Sequence, residues 1–121
     1  MKKSRILDST LGECIKSYFP EFLERPQWIR HVITARELSA AKVKTEDDSI
    51  KVLLFVPSGV PLEHPGIKWI ICHELCHYLN LENPDEIFKK RMPGHVWQMW
   101  QALTKSGDIR CEVPVLQNGG D

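Results

Sequence analysis

The chain has 121 residues, the size of one domain, and its 42% hydrophobic and 26% charged residues are ordinary globular usage, which argues against disorder or a fibrous repeat. Sixteen Lys and Arg balance sixteen Asp and Glu, so blanket electrostatic binding to nucleic acid or an anionic membrane is not expected. No apolar run approaches the roughly 20 residues of a membrane span, and the opening MKKSRILDST has no apolar stretch behind its charges; both features predict a soluble, cytoplasmic protein with no membrane partner.

In chain order, Thr10-Leu11-Gly12-Glu13 fits a capping box, and Leu11, Ile15, Tyr18, Phe19 and Phe22 recur at helical spacing. They predict a first helix from about Leu11 to Tyr18, ended or kinked by Pro20. Trp28 to Arg36, rich in β-branched residues, reads as a strand. Alternation around Ala41 and Val43 suggests a second short strand within Ser39 to Lys44. The clearest strand is Ile50 to Val56, IKVLLFV, preceded by a polar turn at 45–49. After the loop Pro57-Ser58-Gly59-Val60-Pro61 a helix is predicted over Ile67 to Leu79. Asn83-Pro84-Asp85-Glu86 then signals a short helix to about Arg91, with a cap residue, Pro at the first position and acids in the first turn. Pro93-Gly94 breaks it, and His95 to Thr104 opens a further helix. Residues 1–116 read as a single domain and 117–121, QNGGD, as a flexible tail. Cys14, Cys72, Cys76 and Cys111 lack paired C-x-x-C spacing and are expected as small apolar fillers, although Cys72 and Cys76 share a helix face.

The Ile67–Leu79 helix carries the chemistry. Ile67, Ile71, Cys72, Leu75, Tyr78 and Leu79 cover one broad side, and Trp69 and Ile70 border the other, so the helix belongs inside the protein. Within it, His73-Glu74-Leu75-Cys76-His77 is H-E-x-x-H. Residues four apart sit one turn apart on one face, so two imidazoles can converge to about 2.0–2.1 Å from a single Zn²⁺. Glu74 lies about 100° round from His73, off the ligand line and near enough to reach a water. Two histidines and a carboxylate on so apolar a helix would be costly without partners, and one cation with its water satisfies all three. The plainer alternative is a helix face that matches the pattern by accident.

A catalytic zinc usually has three protein ligands and an open position. His95, presented just after the Pro93-Gly94 break, is the leading candidate for the third. Glu82, Asp85 and Glu86 compete, the last two already having a capping role. Asn80 and Asn83 stand where the metzincin extension H-E-x-x-H-x-x-G-x-x-H requires Gly and His. Tyr78, His64 and Arg91 are the candidates for an oxyanion donor, with Tyr78 directed to the core side as a packed aromatic. His31 reads as a structural or surface histidine. Trp97, Trp100, Met99 and Leu103 read as core, and Lys89-Lys90-Arg91 as a solvated helix face.

His73 to Tyr78, HELCHY, after an apolar run and followed later by Pro93-Gly94-His95-x-x-x-Met99-Trp100, resembles the SprT-like and YgjP-like metallopeptidase domains of the zincin fold. The likeness covers about Ile50 to Leu103, and its spacing to His95 is closer to the SprT pattern. It implies an α+β, zincin-like minimal peptidase: a small, mostly antiparallel sheet packed on a central HExxH helix with flanking helices. It also implies one Zn²⁺ held by His73, His77 and His95, Glu74 as general base, and a protein or peptide substrate, in some relatives DNA-associated. In the mechanism implied, zinc brings the pKa of its water towards about 7 and Glu74 takes the proton before attack on a peptide carbonyl. A metallohydrolase directed at another substrate, such as a nuclease, and a binding module whose metal site is closed by Cys76 or Glu86 are the alternatives.

Overall fold

A computed structural model describes residues 1–43, 45–80, 82–110 and 115–116. Helix α1 spans Arg5–Tyr18, starting six residues before the expected Leu11. Its cap is Ser4, whose Oγ accepts from the Ile6 N–H at 3.2 Å, while the Thr10 hydroxyl donates to the Ile6 carbonyl inside the helix. The buried stripe of α1 accordingly begins at Leu7 and continues through Leu11, Cys14 and Ile15. The i, i+4 contact Leu7–Leu11 rewards the extra turn that the capping-box reading left out. Pro20 ends the helix as expected and opens a single 3-10 turn, Pro20–Phe22, on which Phe19 and Phe22 stack.

Strands β1 (Gln27–Thr34), β2 (Ser39–Val43) and β3 (Ile50–Pro57) form the sheet, with a two-residue β4 (Val115–Leu116) beside β2. The spatial order is β1-β3-β2-β4. β3 runs antiparallel to β2, but β1 pairs with β3 in parallel along eight residues, from Gln27 with Ile50 to Thr34 with Pro57. β4 is also parallel to its neighbour. The sheet is therefore mixed, not mostly antiparallel. The reason lies in β3 itself: Ile50, Val52, Leu54 and Val56 face one side and Leu53 is buried on the other, so β3 gains most from the central place and inserts between β1 and β2.

One face of the sheet packs on α1 and on α2 (Pro65–Leu79), and its core joins Ile29, Val52, Leu54 and Val56 to Leu11, Ile15, Ile67, Ile71 and Leu75. The other face holds a small cluster of Ala41, Val43 and Leu53. Helix α2 is buried almost all round, as its composition predicts. His64 caps it, its Nδ1 accepting from the Gly66 N–H at 3.0 Å. Helices α3 (Pro84–Arg91) and α4 (Gly94–Ser106) pack against α2. α4 closes on Gly107, whose φ of 86° suits a residue without a Cβ. The architecture is thus α+β, as expected. Among the described residues no helix is long and apolar enough to cross a membrane. The tail expected at 117–121 lies outside the described residues.

Tyr78 ties the end of α2 to the sheet. Its hydroxyl donates to the Lys51 carbonyl and accepts from the Lys51 N–H, both at 2.8 Å, and its ring meets Phe22 edge-on. Tyr78→Phe leaves two backbone groups of β3 without that partner and is expected to lower unfolding free energy by about 1–3 kcal/mol in denaturant titrations. A change below a few tenths of a kcal/mol would contradict this anchoring role.

Candidate metal centre

The middle of α2 is held on all sides, so side chains there have fixed directions. His73, Glu74 and His77 are buried at 4%, 3% and 2% exposure, and each offers a ligand atom within 4.8 Å of the others. Among the described residues this is the one cluster of histidine, cysteine and acidic side chains able to hold a metal ion. The two imidazole rings lie 4.9 Å apart and nearly perpendicular. On the far side of His73, Trp100 stacks at 4.7 Å and Phe88 sits at 6.0 Å, so α3 and α4 form an aromatic wall that limits its ring to one orientation.

The second signature of the site is Asp85, in the first turn of α3. Its Oδ1 lies 3.0 Å from His73 Nε2, and the imidazole N–H beside it holds the Asp85 carboxyl below the usual carboxylate range. Tetrahedral zinc ligands at about 2.0–2.2 Å stand roughly 3.3 Å apart, so this spacing suits two atoms sharing one cation. A proton and a cation are alternative occupants of that position, and metal binding releases the proton.

Glu74 points to the sheet side. Burial pushes its carboxyl up to about 8, against the pull of Lys42. Lys42 on β2 holds its ammonium 4.4 Å from the centre of the Tyr78 ring, and burial lowers its pKa while Glu74 raises it. A buried carboxyl facing a lysine on one side, with two histidines beside it, is a site that gains from an added positive charge. The donor set, two imidazoles and one or two carboxylates, suits a borderline divalent ion, so the residues present fit a metal.

Of the residues singled out from sequence, His73, Glu74 and His77 are brought together, and Asp85 joins them through His73. His95 is not brought to the group: it is exposed on the first turn of α4. Glu82 is exposed, and Glu86 accepts from the Asn83 side chain at 3.0 Å. Cys76 is buried in the core, and burial pushes its thiol up to about 12, which keeps it protonated at neutral pH. Arg91 departs from the solvated face expected of Lys89-Lys90-Arg91. It forms a bidentate pair with Glu21 at 2.6 and 2.7 Å and donates to the Tyr18 carbonyl. Met99 is exposed rather than core, whereas Trp100 is buried as expected. Sequence reading missed two features. Lys42 alternates with Ala41 and Val43 and so projects to the opposite, helix-facing side of β2, a signal present in the strand pattern. The stacking of Trp100 on His73 depends on how α4 folds back and has no local signal.

No protein-family model, curated protein or solved structure matches the chain.

The contact between Asp85 and His73 makes a distinguishing prediction. In isothermal titration with Zn²⁺, Asp85→Ala is expected to weaken binding by at least about tenfold, whereas His95→Ala stays near wild type. A loss confined to His95→Ala would assign the third position to His95.

Proposed function

We propose that the chain is a zinc-dependent peptidase of the zincin kind, akin to the SprT-like and YgjP-like domains that its HELCHY segment resembles. The observation that carries the reading is the burial of His73, Glu74 and His77 with ligand atoms inside 4.8 Å. In this reading His73 and His77 hold the ion and Asp85 completes the protein ligands, supported by its 3.0 Å approach to His73. When bound, the zinc supplies Lewis acidity, polarising a carbonyl and bringing the pKa of a water towards about 7.

The chain's own groups supply the rest. Burial raises the Glu74 carboxyl to about 8 even with the opposing pull of Lys42, and further nearby positive charge favours its carboxylate. As carboxylate, Glu74 takes a proton from the attacking water and later delivers it to the leaving amine. Trp100 and Phe88 fix the His73 ring and keep bulk water from its far side. A closed structural site would need a fourth protein ligand. Among the described residues neither Cys76 nor the Asn83-bonded Glu86 belongs to the His73, Glu74 and His77 group, which supports an open position for substrate. A balanced net charge, with Arg91 bound to Glu21, favours a protein or peptide substrate over nucleic acid.

Glu74→Gln preserves shape and removes the base. It is expected to keep one zinc per chain while casein or peptide cleavage falls by roughly 10²–10⁴-fold. Cleavage by Glu74→Gln at the wild-type rate would overturn the peptidase reading.

A further inference from the structure

Peptide hydrolysis places negative charge on the carbonyl oxygen, and none of the three donors suggested by sequence is available to meet it. The Tyr78 hydroxyl is spent on both backbone groups of Lys51. His64 caps the far end of α2 through its Nδ1. Arg91 is committed to Glu21 and the Tyr18 carbonyl.

Lys42 remains. β2 sends Ala41 and Val43 to the outer sheet face and Ala40 into the main core, so Lys42 projects from the side that packs on α2. There it meets Tyr78, one turn beyond Glu74 on the same face of the helix, with its ammonium 4.4 Å from the ring centre. Its charge acts on Glu74, yet among the described residues the two make no ion-pair contact and its three N–H groups meet no hydrogen-bond acceptor. Arg25, the other cation on the Tyr78 ring at 5.9 Å, is by contrast tied to the Asp48 carbonyl at 2.6 Å. The Tyr78 ring and the β2 backbone thus hold a partly desolvated ammonium whose charge reaches the buried carboxyl, with no acceptor for its donors among the described residues.

We propose that Lys42 is a catalytic residue that donates to the scissile carbonyl oxygen as that oxygen takes up charge, an inference that rests on the peptidase reading above. In the addition step, a water oxygen bonds to the carbonyl carbon, its proton passes to Glu74, and the C=O π pair moves to the oxygen facing Lys42. In collapse, that pair re-forms the carbonyl, the C–N bond breaks with its pair on nitrogen, and Glu74 returns the proton to the amine. The lysine keeps its own protons throughout and acts by charge and hydrogen bonding, which are strongest in a site of low polarisability.

The test compares wild type, Lys42→Met and Lys42→Arg, all zinc-loaded, on a fluorogenic peptide, with metal content and melting temperature recorded alongside. Binding of a phosphinic peptide, a stable tetrahedral anion, is measured separately by calorimetry. Lys42→Met keeps an unbranched stem for the Tyr78 ring. It is expected to lower kcat by about 10²–10³-fold with KM changed by less than about threefold, and to weaken the phosphinic peptide by at least roughly tenfold. Lys42→Arg is expected to recover part of both losses, which a purely structural role would not produce. A Lys42→Met enzyme with wild-type kcat and wild-type phosphinic peptide affinity overturns the role of Lys42 and leaves the peptidase reading standing. If Lys42→Met does not fold, Lys42→Arg decides: binding the phosphinic peptide no better than an unrelated neutral peptide overturns the role. A zinc-loaded wild type that cleaves no peptide removes the peptidase reading and this role together.

Discussion

The constraint on which the molecule turns is desolvation. Three polar side chains sit on the most deeply buried helix of the chain, where an unpaired charge or donor is costly. Isoleucines and cysteines fill the remaining faces of α2, and the sheet, α1, α3 and α4 close round it. Such a helix can carry His73, Glu74 and His77 if their polar atoms converge on something, and the fold makes them converge. The same burial that would penalise the trio makes it effective, because electrostatic interactions weaken least where water is excluded.

The surrounding elements divide the work. α3 and α4 serve the imidazole side, where Asp85 approaches one nitrogen of His73 while Trp100 and Phe88 hold its ring. The sheet serves the carboxyl side, where Tyr78 is pinned to β3 and in turn supports Lys42 over its ring. The site thus has an acidic, aromatic flank and a cationic flank, with Glu74 between the histidines and the lysine. Under the proposed hydrolysis, that asymmetry would give a water and a carbonyl oxygen different neighbours.

Much of this was legible in the sequence, for identifiable reasons. The apolar circumference of α2 and the four-residue spacing of its histidines are local properties, and they gave the helix, its burial and the clustered trio. The strong β3 segment was equally legible, because Ile50 to Val56 is apolar on both faces. What escaped was long-range. The parallel pairing of β1 with β3 follows from which strand wins the centre of the sheet, and no turn motif encodes it. The start of α1 was missed because Ser4 is a weaker-looking cap than the Thr10 capping box, yet Leu7 extends the buried stripe. At the site, His95 has a suitable position in sequence but lies on the exposed side of the first turn of α4. Asp85 looked committed to capping and instead reaches His73. How α3 and α4 pack on α2 sets which of these side chains approaches His73, and that is a packing outcome.

The account is tested most directly by X-ray absorption of the protein purified without added metal and then supplied with one equivalent of Zn²⁺. It predicts a first shell of nitrogen and oxygen near about 2.0–2.1 Å, with the multiple-scattering signature of two imidazoles and no sulfur. It also predicts that the melting temperature drops when a chelator removes the ion. A protein that leaves zinc in solution, with stability indifferent to both metal and chelator, would contradict the claim that a cation is what these buried groups surround.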